Sequence, residues 1–379
     1  MANELTALLP TIVGQALIKL KNTAKIFKMV KMDFANEVKQ PGNVINFVGR
    51  SAFTPTEVVV GTPNVQDITA AGGSMALNIY KEISWRMSIK EASELIASKG
   101  LVLSNTLEDA VDSMRDYIAS LVYAAAYKKF YTTTGTIGTV PSAISDITDI
   151  RKKANALKWP VANRNIVWDG ASEAKMLQLA ILTEQSSTGD NTLITGDLGR
   201  RFGFTHWTDN PMDDLAHVLG GADGAYVVND DAGASANAVG SKALIVETGA
   251  GTITAGSIFT IAGDTQQYVV TADSAGGAGT LAIEPGLKIA PANHAAITFQ
   301  ATQSHMSLAF HRDAIGLAVR PLARSMANPN ESVVSDPESG LSLKMVILPE
   351  HGADIMSLFF LGGTDVLNSD LGIRVNSGA

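Results

Sequence analysis

No cysteine occurs among the 379 residues. That absence excludes a disulfide framework, thiolate metal sites and a cysteine nucleophile, and it leaves the redox compartment open. Charge is also scarce, at 17% of residues against a usual quarter. Ala, Gly, Ser and Thr share the work of covering a surface, but so few charges predict that part of the exterior is buried against copies of the same chain. Long apolar runs are missing too. The longest in a helical context, Tyr117 to Tyr127, is about half the roughly 20 residues that a membrane helix needs. Glu4 and Pro10 stand where a signal peptide would carry its basic and apolar regions, so a soluble chain without a membrane partner is expected. Asp plus Glu (37) outnumber Lys plus Arg (29), giving a net charge of -8; any contact with a polyanion must be local.

What is present is unevenly distributed. Residues 1–50 hold 7 basic and 3 acidic residues, a local +4, which leaves -12 for the remainder. Leu5, Leu8, Leu9, Ile12 and Ala16 fall at helical spacing, and Lys19, Lys21, Lys25, Lys28 and Lys31 follow, interleaved with apolar residues. This predicts an amphipathic basic arm over 1–40. Pro41 to Arg50 and Asn78 to Ser88 then read as strands around a turn-rich excursion with a short strand at Val58, Val59 and Val60. Nothing in 51–76 could form a core of its own, so an extended β-hairpin is predicted over 41–86.

Residues 104–131 carry the strongest helical pattern, with Ser104 as N-cap and Leu107, Ala110, Val111, Met114, Ile118, Leu121, Val122 and Ala125 on one face. At 1.5 Å per residue it forms a spine of roughly 40 Å. Helices at 144–157 and 172–182 flank a short buried strand, Arg164 to Trp168, giving an α+β body over 87–222. In 223–301, Ala and Gly supply 29 of 79 residues, and short β-runs alternate with Gly-rich turns. This predicts a small all-β domain, a closed sheet or barrel, inserted into the body. The α+β pattern resumes over 302–379: Met306 to Phe310 pairs with Ile315 to Val319, and strands at 341–348 and 355–361 close the fold.

No catalytic frame emerges. Ser172 and Lys175 have a serine-lysine spacing but lack the partner motifs of acylating enzymes, and Ser172 reads as a helix cap. The histidines (206, 217, 294, 305, 311 and 351) make no pair at metal-binding helical spacing. Gly276, Gly277 and Gly279 have no lysine or following helix to make a phosphate loop, and Asp213-Asp214 and Asp230-Asp231 sit in no calcium loop. No cofactor, metal or catalytic residue is expected, and a binding or structural role leads.

The order of elements, together with Met306 to Ile315 (MSLAFHRDAI), Gly316 to Pro321 (GLAVRP) and Leu198 to Asp209, resembles the major capsid proteins of tailed bacteriophages. More narrowly, it resembles the coat proteins of P22-like phages, which share the HK97 shell fold and carry an insertion domain. The resemblance implies an N-terminal arm, an extended hairpin loop, a spine helix, and peripheral and axial α+β domains. It further implies a homo-oligomer of pentamers and hexamers forming an icosahedral shell in the virion, assembled in the host bacterial cytoplasm on a scaffolding protein. A portal, a decoration protein and packaged double-stranded DNA held non-specifically complete the implied partners. Under it, Lys19, Lys21, Lys25, Lys28 and Lys31 face DNA or scaffold, while Arg50, Phe53, Val58, Val59 and Val60 lie over a neighbouring subunit. Two alternatives stand beside it: an encapsulin-like nanocompartment shell of the same fold, and a β-rich carbohydrate-binding or adhesive protein.

Overall fold

The computed structural model describes residues 9–34, 43–48, 55–58, 61, 65–66, 72–88, 90, 101–136, 138–183, 196, 198–213, 215–216, 225–229, 237–300, 306–324, 330–335 and 341–377. Its helices are α1 (Leu9–Thr23), α2 (Ile26–Met29), α3 (Leu101–Lys129), α4 (Ile144–Ala156), α5 (Gly170–Leu177) and α6 (Ala180–Thr183). The first strands are β1 (Val44–Val48), β2 (Gly72–Ala76), β3 (Ile79–Ser88), β4 (Thr132–Thr134), β5 (Arg164–Trp168), β6 (Arg200–Arg201) and β7 (Phe204–Thr208). Then come β8 (Val227–Val228), β9 (Ala243–Glu247), β10 (Ile258–Ile261), β11 (Gln267–Val270), β12 (Gly279–Glu284) and β13 (Ile297–Phe299). The last are β14 (Met306–His311), β15 (Ile315–Val319), β16 (Glu331–Ser335), β17 (Ser342–Glu350), β18 (Ala353–Val366) and β19 (Gly372–Asn376). The chain is mixed α+β and divides into two units, the first made of Met1–Thr23, Lys31–Met114 and Gly316–Asn368, the second of Ala24–Val30, Arg115–Ile315 and Ser369–Ala379.

In the first unit, β18 pairs with β17, β3 and β15, and β17 also pairs with β16. α1 lies against β16 and β17 because Val13, Ala16, Leu17 and Leu20, spaced three, four and seven apart, make one apolar stripe that is buried there. Each such leucine contributes about 1.5–3 kcal/mol on burial. The separate β1–β2 hairpin is rooted in a cluster of Phe34, Ile45, Met75, Leu77 and Ala318. Opposite Phe47 stands Gly73, where a Cβ would lie 2.3 Å from the phenyl ring. Only glycine leaves room for that ring to fold across the hairpin.

The second unit is built on the sheet β4-β19-β14-β5-β7-β6, parallel at β4/β19 and β5/β7 and antiparallel elsewhere. Its central strands are mostly apolar and buried throughout, as a sheet covered on both faces requires. α4 buries Ile147, Ile150 and Ala154, and Asp146 in its first turn accepts from the backbone N–H groups of Ser142 and Ala143. The strands between Val227 and Phe299 run in the order β13-β10-β11-β12-β9-β8. The backbone bonds Val228 N to Ala295 O and Ile297 N to Tyr226 O, both 2.9 Å, join the two edges and close the sheet into a barrel. Tyr226, Phe259, Tyr268 and Phe299 fill it, with ring centroids 5.4–5.7 Å apart.

Several local expectations change. The strand beginning at Asn78 is not the return leg of the hairpin: β1 pairs with Gly72–Ala76, and Ile79–Ser88 instead pairs with Ala353–Gly362. Met306–His311 and Ile315–Val319 are not partners but belong to different sheets, because Arg312–Ala314 forms a 3-10 turn rather than the Gly- or Asn-bearing turn of a tight hairpin. The basic arm is not a free appendage past its first helix, since Ile26, Phe27, Met29, Val30 and Phe34 are all buried. The spine begins at Leu101, which places Ser104 inside it rather than at its cap. Asp169, not Ser172, caps α5, accepting from Ser172 N at 3.1 Å, and the helix expected to reach Leu182 breaks after Leu177. At the break, Gln178 and Leu179 bond back only three residues.

Candidate functional site

The lysines that look equivalent along the chain have different surroundings. Lys19, on α1, reaches Glu108 at 3.0 Å and Asp112 at 3.1 Å. Burial lowers its pKa, but the hydrogen bonds and charges of those two carboxylates outweigh this and raise it above the usual lysine value. Lys21 is half-buried on the same helix. Lys25 is exposed and donates to the Thr208 carbonyl. Lys31 is tied through its backbone, whose carbonyl accepts from Leu317 N at 2.9 Å. Lys28 is exposed on α2 and borders a pocket of other cationic side chains.

That pocket, of about 220 Å³, is lined by Lys28, Asn163, Arg164, Asn165, Arg200, Thr205, Trp207 and Arg312. Arg164 begins β5 and forms its buried wall: Nε donates to Pro160 O at 2.7 Å, one terminal nitrogen to Asn155 at 3.0 Å and the other to Trp159 O at 2.7 Å. Burial first, and then the charge of Arg151, hold its pKa below the usual arginine value. Asn165, almost wholly buried, accepts from Trp207 Nε1 at 3.1 Å, which fixes the indole on the same wall. Arg312 is anchored by Nε to Val30 O at 3.4 Å, and Arg200 is exposed at the sheet edge. No carboxylate is among the lining residues. The sequence pattern gives none of these residues a role: Arg312, Arg200 and Trp207 occur there only as members of longer runs, and Arg164 and Asn165 only as the start of a short strand.

A second, larger groove of about 560 Å³ lies between β4, one side of α4 and the barrel. It is lined by threonines and by Asp146, Asp149, Lys152, Lys153, Gln266 and Gln267, a polar surface with both signs of charge. Hydrogen bonds join the barrel to its surroundings at Gln267 and Gly256. Gln267 accepts from Thr133 at 2.7 Å and Asn376 at 3.1 Å, and Gly256 O accepts from Arg374 at 2.8 Å and Tyr127 at 3.3 Å.

Ser172 is fully buried, with Oγ bonded to Ser377 Oγ at 3.1 Å. Its neighbour Asp169 accepts from Ser307 at 2.5 Å, so this polar group is a buried structural network. His206 accepts from Trp168 Nε1 through Nδ1, and Asp213 accepts from Gly170 N at 2.6 Å; among the described residues no cluster could hold a metal ion. No described helix is long and apolar enough to cross a membrane. Of the hairpin residues, Val58 is described, outside any strand and 93% exposed; Arg50, Phe53, Val59 and Val60 lie outside the described residues, as do Leu5, Leu8, Asp214, His217, Asp230, Asp231 and His305.

No protein-family model and no curated protein matches the chain. Among solved structures, it is similar to one from Mycobacterium phage Che8, at 12% identity over 93% of this chain and 92% of that one, with a TM-score of 0.47. It is also similar to a virus-like particle from Pyrococcus furiosus (6% identity, 97% and 99% covered, TM-score 0.46) and to the capsid of cyanophage P-SCSP1u (13%, 89% and 84%, TM-score 0.42).

Proposed function

We propose that this chain is the major capsid protein of a tailed bacteriophage, with the HK97 type of shell fold, assembling as pentamers and hexamers into an icosahedral head around double-stranded DNA. The observation that carries the reading is the hairpin: β1 and β2 root in a hydrophobic cluster, while Val58 and Val65 in their connection are 93% and 79% exposed. Apolar residues carried away from their own core gain stability only against another surface, and a repeated shell supplies that surface as a second copy.

On this reading the chain divides as arm 1–40, a segment 41–86 that holds the hairpin and β3, spine and body 87–222, inserted β-domain 223–301 and closing strands 302–379. Arg50, Phe53, Val58, Val59 and Val60 overlie an adjacent subunit. The Lys19 to Lys31 segment belongs to the inner face, toward DNA or a scaffolding protein; a portal and a decoration protein are further partners in the virion, and assembly takes place in the host cytoplasm. The role is structural, with no cofactor. Negative-stain microscopy of the purified protein tests it: closed shells of uniform diameter are expected, and Val58→Asp lowers their yield severalfold while the subunit stays folded. A wild-type protein that stays monomeric with and without co-expressed phage assembly factors overturns the reading.

A further inference from the structure

We propose that the pocket between α2, β5, β7 and Arg312 is a phosphate site that seats one phosphodiester group of a nucleic-acid strand. Its identification with the packaged genome rests on the shell reading; the chemistry of the pocket does not. Lys28, Arg200 and Arg312 converge on it from separate elements, Arg164 adds a buried charge behind them, and no carboxylate in the lining offsets the four. Keeping uncompensated cations together is unfavourable without an anion, and guanidinium groups match the geometry of phosphate oxygens. The volume, about 220 Å³, falls below the roughly 300–1,000 Å³ of pockets that enclose a whole small molecule. It suits one group of a longer polyanion. Trp207, half-exposed and locked by Asn165, supplies an aromatic face for a base next to that phosphate, which favours a nucleic acid over an acidic peptide.

Lys28 and Arg200 are exposed, and the pocket lining sets no carboxylate beside them, so they can be neutralised together. The full-length wild type, Lys28→Gln/Arg200→Gln and the charge-matched control Lys175→Gln/Lys288→Gln are titrated with fluorescent oligothymidylate at several salt concentrations, before assembly. The pocket variant binds about tenfold more weakly at low salt, and its slope of log K against log salt is shallower by about 0.7, for the one phosphate no longer neutralised. The control stays within about twofold of wild type, as for charges that touch no phosphate. Equal loss in both variants, or loss in neither, overturns the site. Inorganic phosphate competes with the strand. Phosphate binding without any strand binding overturns the nucleic-acid assignment in favour of a free anion, and stronger competition by polyglutamate than by phosphate assigns the pocket to an acidic protein instead. Thermal melts confirm that each variant is folded, and particle formation is scored separately by microscopy, so a failed shell and a failed site give different results.

Discussion

Lys19 and Lys28 stand nine positions apart on one basic segment, yet one charge is spent inside the fold and the other is directed to an anion. Lys19→Gln removes two ion pairs and lowers the melting temperature while leaving oligonucleotide binding unchanged; Lys28→Gln does the reverse, and the pair of measurements checks the division. A second residue-scale prediction concerns Asp209, which accepts from buried Tyr123 at 2.7 Å. Burial raises its pKa above the usual range, against the hydrogen bond from Tyr123 and the charges of Lys25 and Arg115, which lower it. The folded chain therefore holds this proton more tightly than the unfolded one. That contribution is present at low pH and is lost as pH rises from about 3.9, the unfolded value, through the raised folded value. Asp209→Asn keeps an acceptor for Tyr123 and cannot titrate, so its melting temperature falls less than that of wild type over this window. A parallel decline in both proteins refutes the assignment. Sequence spacing exposed the lysines because they recur within a few positions. It could not expose Arg164, Arg200 and Arg312, which meet only because the fold brings β5, β6 and the turn after β14 to one pocket.

Among the elements, those whose own pattern demanded burial were the legible ones. β5 and α4 lie within a residue of where their apolar spacing put them, and the spine's buried face is largely the predicted one. Pairing was harder. The Met306–His311 and Ile315–Val319 strands are close in sequence and buried throughout, and no periodicity says that a short turn sends them to different sheets. The hairpin shows the same limit: its return strand, GGSMA, has too little β-propensity to stand out beside the stronger Ile79–Ser88 run. Its register nevertheless contains one sterically complementary pair, Phe47 and Gly73. Gly73→Val puts a branched side chain where the ring lies and costs about 1–3 kcal/mol by overpacking. Denaturant unfolding of this variant, beside Phe47→Ala/Gly73→Val in which the clash is relieved, checks it: the double variant recovers stability relative to the additive expectation. In α1, Leu20→Ala costs about 2–5 kcal/mol, because the side chain is fully enclosed and the helix packs on β16 and β17.

For the whole molecule, the question is how a chain with few charges accommodates a segment as acidic and glycine-rich as 223–301. The barrel answers it by having an interior of its own. Leu244, Val246, Phe259, Tyr268, Leu281 and Ile297 pack on one another and bury the inward faces of its strands, while Ile258 and Val269, paired on β10 and β11, are buried outside that cluster. Its first and last strands, β8 and β13, are neighbours across the closing seam, so the chain enters and leaves at one place. That geometry lets a domain sit within another without disturbing it. Hydrogen bonds attach it at Gly256 and Gln267. We therefore expect residues 225–300, expressed alone, to unfold in a single cooperative transition with a β-type circular dichroism spectrum. In the intact chain, Gln267→Ala should leave the barrel's own protection from hydrogen exchange unchanged while raising exchange at Thr133 and Thr134, whose strand it touches. If the isolated segment shows no cooperative transition, the barrel depends on the surrounding sheet, and the acidic segment is part of one continuous fold instead of an insertion in it.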